Sequence, residues 1–301
     1  EPAKFYSPLT GLETTEELSK RAVTGIMIEN SVDARPQSGL VDAGVVFEAI
    51  AEGGITRFLA LFQEAQPDYI GPIRSARPYY VRWVSGFDAG YVHSGGSGEA
   101  LSLIGTLGVK DMDHGKYGSR FFDRVSSRYA PHNVYTSMAR LDQLRAENGF
   151  NESRFTAFER LNDTNKAEAT GTPATSISFD ISSALYDTSY RYDADAKVYK
   201  RNLAGAAHND ERTGKQISPK VVVALYVPYS IHPDGVHSVY QNVGTGKAQF
   251  FQDGVMTEGT WEKPSDTASL VFKTASGSAM PLEPGQVWIT AIQEGRVSYT
   301  P

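Results

Sequence analysis

The chain has 301 residues, 29 Lys and Arg against 35 Asp and Glu, and a formal net charge of −6. With 40% hydrophobic and 21% charged residues it reads as a globular protein and not a disordered one, and its mild acidity argues against a nucleic-acid binder, which usually shows a basic stripe. The absence of cysteine rules out disulfides, thiolate zinc sites and cysteine nucleophiles, and no apolar run approaches the ~18 residues that a membrane span needs.

A chain of this length is expected to make two domains. Residues 1–20 are polar, with Pro8 and Gly11 suggesting an extended lead-in. The stretch 22–29 reads as a short buried strand, 31–39 as a loop, and 45–63 as two apolar runs around Gly53-Gly54, the signature of a two-residue hairpin. A helix is expected from Pro78, a residue that suits the first turn. Tyr91-Val92-His93 looks like a strand end running into Ser94-Gly95-Gly96-Ser97-Gly98. The stretches 99–107 and 136–148 have helical spacing, the latter stopped by Gly149. The polar segment 162–173 is read as a linker. Beyond it the pattern is strand-like at 176–181, 190–199, 221–227, 237–242, 248–251, 269–273 and 287–292, with turns rich in Gly, Asp and Pro. The expected fold is therefore α+β. An N-terminal α/β domain (1–165) has a mixed sheet and flanking helices, and a mostly antiparallel β domain covers 174–301. Trp261 and Trp288 are expected to pack as core or interdomain anchors.

The most informative stretch is Gly71-Pro72-Ile73-Arg74-Ser75-Ala76-Arg77-Pro78. It places two guanidiniums, each a planar and always-charged fork for carboxylate or phosphate oxygens, in a loop that opens on a Gly-Pro turn, either as an anion site or with each arginine pairing a nearby acid to pin the loop. In the hairpin upstream, a two-residue turn sets Ile50 opposite Arg57. Glu48 and Glu52 are then its diagonal neighbours on one face. The expected ligand site is an Arg-rich cleft of Arg57, Arg74, Ser75 and Arg77 with Glu48, Glu52 and His93, joined by Gly95, Gly96 and Ser97, whose N–H groups are candidates for an anion nest. Arg82, one turn further on, is expected to be exposed.

No catalytic motif is complete. Ser94-Gly95-Gly96-Ser97-Gly98 lacks the spacing of a nucleophile elbow and the Gly-Lys-Ser/Thr ending of a phosphate-binding loop. Glu48 and Glu52 have the residue types for glycan cleavage, but an arginine between them lowers both pKa values and disfavours an acid role, so a structural ion cluster is the preferred reading. His208 and Asp210 share a face if extended, which allows a divalent cation; a hydrogen-bonded turn before Thr213-Gly214 is the preferred reading. The histidines of the 232–237 loop look incidental, and neither metal nor cofactor is assigned.

Several multi-residue motifs resemble the YerB family of bacterial envelope lipoproteins. They include Ile28-Glu29-Asn30-Ser31, Ala34-Arg35-Pro36-Gln37-Ser38-Gly39-Leu40, Glu52-Gly53-Gly54-Ile55-Thr56-Arg57-Phe58 and His93-Ser94-Gly95-Gly96-Ser97. Ile70–Pro78, Pro131-His132-Asn133-Val134-Tyr135, His208-Asn209-Asp210 with Thr213-Gly214, Gly244–Lys247, Gly259-Thr260-Trp261-Glu262-Lys263 and Pro284-Gly285-Gln286-Val287-Trp288-Ile289 complete the set. The resemblance implies an N-terminal α/β domain and a C-terminal β-rich domain. It also implies an extracytoplasmic location, with peripheral attachment to the outer face of the cytoplasmic membrane through an N-terminal lipid anchor missing from this chain. An uninterrupted strand over 220–230 is expected, which Pro228 interrupts. The function implied is binding of an anionic cell-wall glycan, a lipid-linked precursor or an envelope protein partner. Element order and arginine placement are also similar to the phosphotransferases that attach glycopolymers to bacterial cell walls. The alternative is therefore a cell-wall enzyme, glycopolymer phosphotransferase-like or peptidoglycan-cleaving, using the same cleft.

Overall fold

The structure, a computed structural model, describes residues 3–162 and 170–301. Most of the expected linker, residues 163–169, lies outside the described residues. In the first half, strands β1 (Thr24–Glu29), β2 (Val45–Glu52), β3 (Ile55–Phe62), β4 (Gly90–His93) and β5 (Lys110–Asp113) are accompanied by helices α1 (Pro78–Ser85), α2 (Gly98–Thr106) and α3 (Met138–Asn148). The helices sit where their end signals lie. Pro78 opens α1, the Ser97 and Ser137 hydroxyls accept from backbone N–H groups to cap α2 and α3, and Gly149 ends α3 at φ 73°.

The second half adds β6 (Thr172–Pro173), β7 (Val221–Tyr226), β8 (Gly244–Gln252), β9 (Val255–Lys263), β10 (Val271–Thr274) and β11 (Val287–Ile292). All eleven form one sheet in the order β6-β9-β8-β7-β11-β2-β3-β1-β4-β5, with β10 also on β9. The sheet is mixed: β11 runs parallel to both β7 and β2, while β2–β3 and β8–β9 are hairpins. The seam between the halves is the β11–β2 pair, in which Trp288 lies beside Val46 and Thr290 beside Glu48. The fold is thus α+β as expected, and the two halves share one sheet. A second, five-stranded sheet holds Ala206–Ala207, Val198–Leu203, Thr188–Asp193, Ser176–Phe179 and Val297–Thr300 in that order.

Three strand expectations need correction. The stretch 190–199 is two strands, because the chain reverses between Asp193 and Val198 with Lys197 at φ 53°. The stretch 220–230 breaks after Tyr226, and Tyr229–Ile231 pairs instead with Ser238–Tyr240 in a separate hairpin. The register of the β2–β3 hairpin also shifts. Glu52 still faces Ile55, but Ile50 faces Thr56 and Ala49 faces Arg57, so Ala51 is a bulge. One extra residue reverses the facing of everything beyond it. Glu52 therefore joins Arg57 on one face, and Glu48 lies on the other.

Glu48 is fully buried at the seam. Arg201 Nη2 donates to both its carboxylate oxygens, at 3.1 and 2.9 Å, and the Trp288 indole N–H donates to Oε2 at 2.9 Å. Arg201 itself is fully buried, its guanidinium lies 4.1 Å from the Trp288 ring centroid, and it also donates to the Tyr190 hydroxyl. Arg201 Nε donates to His208 Nδ1, which fixes the tautomer, so His208 Nε2–H donates to Gln37 Oε1 at 2.8 Å. Trp261 and Trp288 are both buried, as expected.

Two measurements check this knot. Arg201→Met leaves the Glu48 carboxylate buried without its cation and should cost about 3–5 kcal/mol in chemical denaturation. A loss under about 1 kcal/mol would show that the pair does not hold the seam. Burial, with Arg201 and Arg35 adding, pushes His208 well below its ordinary value. The unfolded chain takes up a proton there below pH ~6.5 that the fold excludes. The associated stability is present above that pH and is lost as pH falls, by up to about 1.4 kcal/mol per pH unit. His208→Gln should flatten that acid slope between about pH 6.5 and 5, and a slope as steep as the parent's would refute the assignment.

Candidate functional site

The face of the sheet that carries Arg57 is covered by the arginine loop and α1. The loop is held by its backbone: Arg74 N–H donates to the Met27 carbonyl, and Ala76 N–H to the Gly95 carbonyl. At Gly71 a Cβ would come within 2.7 Å of the Tyr135 ring and 2.8 Å of the Val134 carbonyl, so the turn packs too closely for a side chain.

Glu52 is the hub. Its Oε1 takes Arg57 Nη2, and its Oε2 takes Arg77 Nε at 2.9 Å and Nη2 at 2.6 Å. Arg57 Nη1 donates to the Ser75 carbonyl and Arg77 Nη1 to the Ala76 carbonyl, so hairpin and loop are locked together. Burial pushes the Glu52 carboxyl up, but the charges of Arg57 and Arg77 outweigh it and hold it below the ordinary carboxylate range. Burial, with Arg77 adding, pushes the Arg57 guanidinium down.

Of the expected site residues, the structure gathers Arg57, Ser75, Arg77 and Glu52. Arg74 turns instead to Glu29, with Nε 3.4 Å from Oε1. Glu48 belongs to the seam on the opposite face, so the two glutamates do not form an acid–base pair across one sugar. His93 is buried, its ring nitrogens facing the Gly95 carbonyl at 2.8 Å and Asp111 Oδ1 at 3.0 Å. Burial pushes the Asp111 carboxyl up, yet its hydrogen bond and charge contact with His93 hold it below the ordinary range. The N–H of Gly95 donates to Asp113, and that of Ser97 to the Ala76 carbonyl. The glycine-rich turn therefore spends these two groups on its own neighbours, while the Ser97 side chain caps α2. His208 and Asp210 also serve the fold: Asp210 Oδ1 accepts from the Arg212 and Thr213 N–H groups, and Oδ2 from Gly39 N–H.

Beside Arg77 lies a cleft of about 220 Å³ between the start of α1, the start of α2 and the 229–240 hairpin. Tyr79, Val239 and Tyr240 supply apolar surface, Arg77, Arg82, His232 and His237 supply cationic or titratable groups, and Glu99 and Asp234 add two carboxylates. Arg82 is not an exposed bystander. It lines this cleft and is held by Asp266, with Nε 3.0 Å from Oδ1. The histidines of the hairpin are organised too: Asp234 Oδ2 sits 2.7 Å from His237 Nδ1 and 3.1 Å from His232 Nδ1. The hairpin docks on the turn after Glu52 through a Glu52–His237 bridge and a bond from Gly53 N–H to the Val236 carbonyl. Sequence reasoning missed this wall because it comes from more than 150 residues away along the chain.

Both halves of the chain match described families. "Protein of unknown function (DUF3048) N-terminal domain" matches residues 9–151, and "Protein of unknown function (DUF3048) C-terminal domain" matches residues 177–289. A protein of Bacillus subtilis (strain 168) named "Putative lipoprotein YerB" is 30% identical over 292 residues, spanning 97% of this chain and 87% of that protein. A crystal structure of the YerB protein from Bacillus subtilis is similar with a TM-score of 0.88 at 30% identity, covering 99% of this chain and 100% of that chain.

The Glu52 hub makes a prediction. Glu52→Gln leaves Arg57 and Arg77 without their shared carboxylate and should lower the thermal midpoint clearly at pH 7. Because the folded carboxyl titrates below its unfolded value, this stabilisation exists above pH ~4.5 and is lost as pH falls. The gap between parent and variant should narrow in acid; a constant gap down to pH ~3 would show that the charge is not what matters.

Proposed function

We propose a function from one premise: this chain belongs to the DUF3048 family, whose descriptions match both its halves and name no activity. It is an extracytoplasmic, lipid-anchored envelope protein that binds an anionic ligand without transforming it. The lipoprotein name of the 30%-identical relative supports the location.

The observation that carries the binding reading is the cleft beside Arg77. It is concave, with aromatic surface from Tyr79 and Tyr240 and a rim holding Arg77, Arg82, His232 and His237. Apolar walls with a few convergent polar groups are the usual make-up of a ligand site. Arg77 and Arg82 give the rim guanidiniums suited to phosphate or carboxylate oxygens. The hairpin beside it also carries exposed Ile231 and Val236. Glu99 and Asp234 also line the cleft, so the two guanidiniums act beside carboxylates, and their pairing with apolar surface favours an amphipathic anion, the chemistry of a lipid-linked precursor, over a purely hydrophilic glycan. The catalytic alternative has less support, since Glu48 and Glu52 stand on opposite faces of the sheet.

Calorimetric titration with farnesyl diphosphate, and separately with inorganic phosphate, tests the reading. Arg82→Ala and Arg77→Ala should each weaken farnesyl diphosphate binding by on the order of tenfold, the loss of one charge-assisted hydrogen bond. Arg74→Ala, whose guanidinium lies against Glu29, should bind like the parent. Parent-like binding by both cleft variants, or loss of binding only in step with loss of the thermal midpoint, would overturn it.

A further inference from the structure

We propose that a second cleft, independent of the first and sharing no residue with it, binds a neutral saccharide. This cleft is larger, about 480 Å³, and Asp33, Arg128, Tyr129, His132 and Glu211 line it. Tyr129 is 91% exposed, the highest value among the exposed large hydrophobic side chains of the described residues. An exposed phenol ring with a polar edge offers a rigid, amphipathic contact face at little entropic cost. Such a face matches the C–H surface of a sugar ring, and the surrounding planar polar groups match its hydroxyls.

The polar groups are held in place before any ligand arrives. Arg128 staples the wall: Nη1 donates to the Asp33 carbonyl at 2.9 Å, and Nη2 to the Pro36 carbonyl at 2.7 Å and Glu211 Oε1 at 3.3 Å. Glu211 is fixed further by the Ser38 hydroxyl at 2.8 Å. His132 is set from behind. Its Nδ1 lies 2.9 Å from Oε2 of the buried Glu29 carboxylate, whose Oε1 accepts from the Ser31 hydroxyl at 2.9 Å. A carboxylate on Nδ1 orients the ring and leaves Nε2 for a partner in the cleft.

Charge selects the ligand class. The lining carries two carboxylates, Asp33 and Glu211, and one guanidinium, that of Arg128, which Glu211 and backbone carbonyls already occupy. That balance repels phosphates and uronates, whereas carboxylates accept well from hydroxyl groups.

The test is titration of the folded chain with chitotriose, cellotriose and maltotriose, followed by calorimetry and by chemical-shift changes. At least one should bind at concentrations up to about 10 mM. Tyr129→Ala should weaken that binding about fivefold or more, the loss of a ring-stacking contact, with no change in thermal midpoint because the ring is exposed. Asp33→Ala should weaken it as well, and Arg82→Ala, in the other cleft, should leave it unchanged. The proposal falls if none of the three binds, if Tyr129→Ala binds as tightly as the parent, or if glucuronate binds there and the neutral sugars do not.

Discussion

The buried pair of Glu48 and Arg201 is the constraint on which the rest of the molecule depends. A desolvated ion pair gains little net stability over apolar residues of the same size, but it tolerates almost no displacement. Here each charge comes from a different half of the chain, and the indole N–H of Trp288 and the Thr56 hydroxyl also donate to the carboxylate. Only one alignment of β11 on β2 puts Trp288 within reach of Glu48, so the pair acts as a register pin for the seam. Separating the halves would expose the β2 and β11 edges, which are almost wholly buried and apolar, and such edges invite non-native pairing. The shared sheet and the buried pair thus make the two family regions one structural unit.

The bulge at Ala51 determines what each face of that sheet does. Without it, Glu52 would point toward the seam beside Glu48, placing a second carboxylate in a space with one buried guanidinium. With it, Glu52 faces the arginine loop and holds Arg57 and Arg77 in fixed geometry. A loop anchored in this way needs little reorganisation when a ligand arrives, which lowers the cost of binding. The same bulge leaves the 53–54 turn positioned to receive the 229–240 hairpin, so the cleft wall depends on it indirectly.

Much of this was legible in the sequence wherever a local signal existed. α1, α2 and α3 follow from Pro78, Ser97, Ser137 and Gly149, and the hairpin from Gly53-Gly54. β5 was missed because Lys110, Asp111 and Asp113 hide a strand that lies at the sheet edge, where charges are common. β9 was missed because Gly259 interrupts its alternation; a Cβ there would meet the Lys273 carbonyl at 2.3 Å. The turn between Asp193 and Val198 carries no glycine, which concealed a reversal inside one apparent strand. At the site, the pairing of Glu52 with the arginines was readable, but the bulge was not, since Ala51 carries no mark of one. Arg201 and Trp288 on Glu48, and Glu29 behind His132, come from distant segments, and no spacing rule reaches them.

Charge compensation limits the chemistry open to the arginine loop. Arg57 and Arg77 share one carboxylate, and Arg74 leans on Glu29, which His132 also contacts. An anion approaching Arg77 therefore meets roughly one net positive charge from the Arg57–Glu52–Arg77 set, most of it screened from solvent by burial. That field is too weak to drive tight capture of a free phosphate, and most donors of Arg77 are already committed. On the proposed reading, affinity combines this residual charge with Arg82, itself paired with Asp266, and with apolar contact on Tyr79, Val239 and Tyr240. Under that proposal the ligand carries an anionic group and a hydrocarbon portion together, because a cleft built on a neutralised hub offers little to a simple inorganic anion.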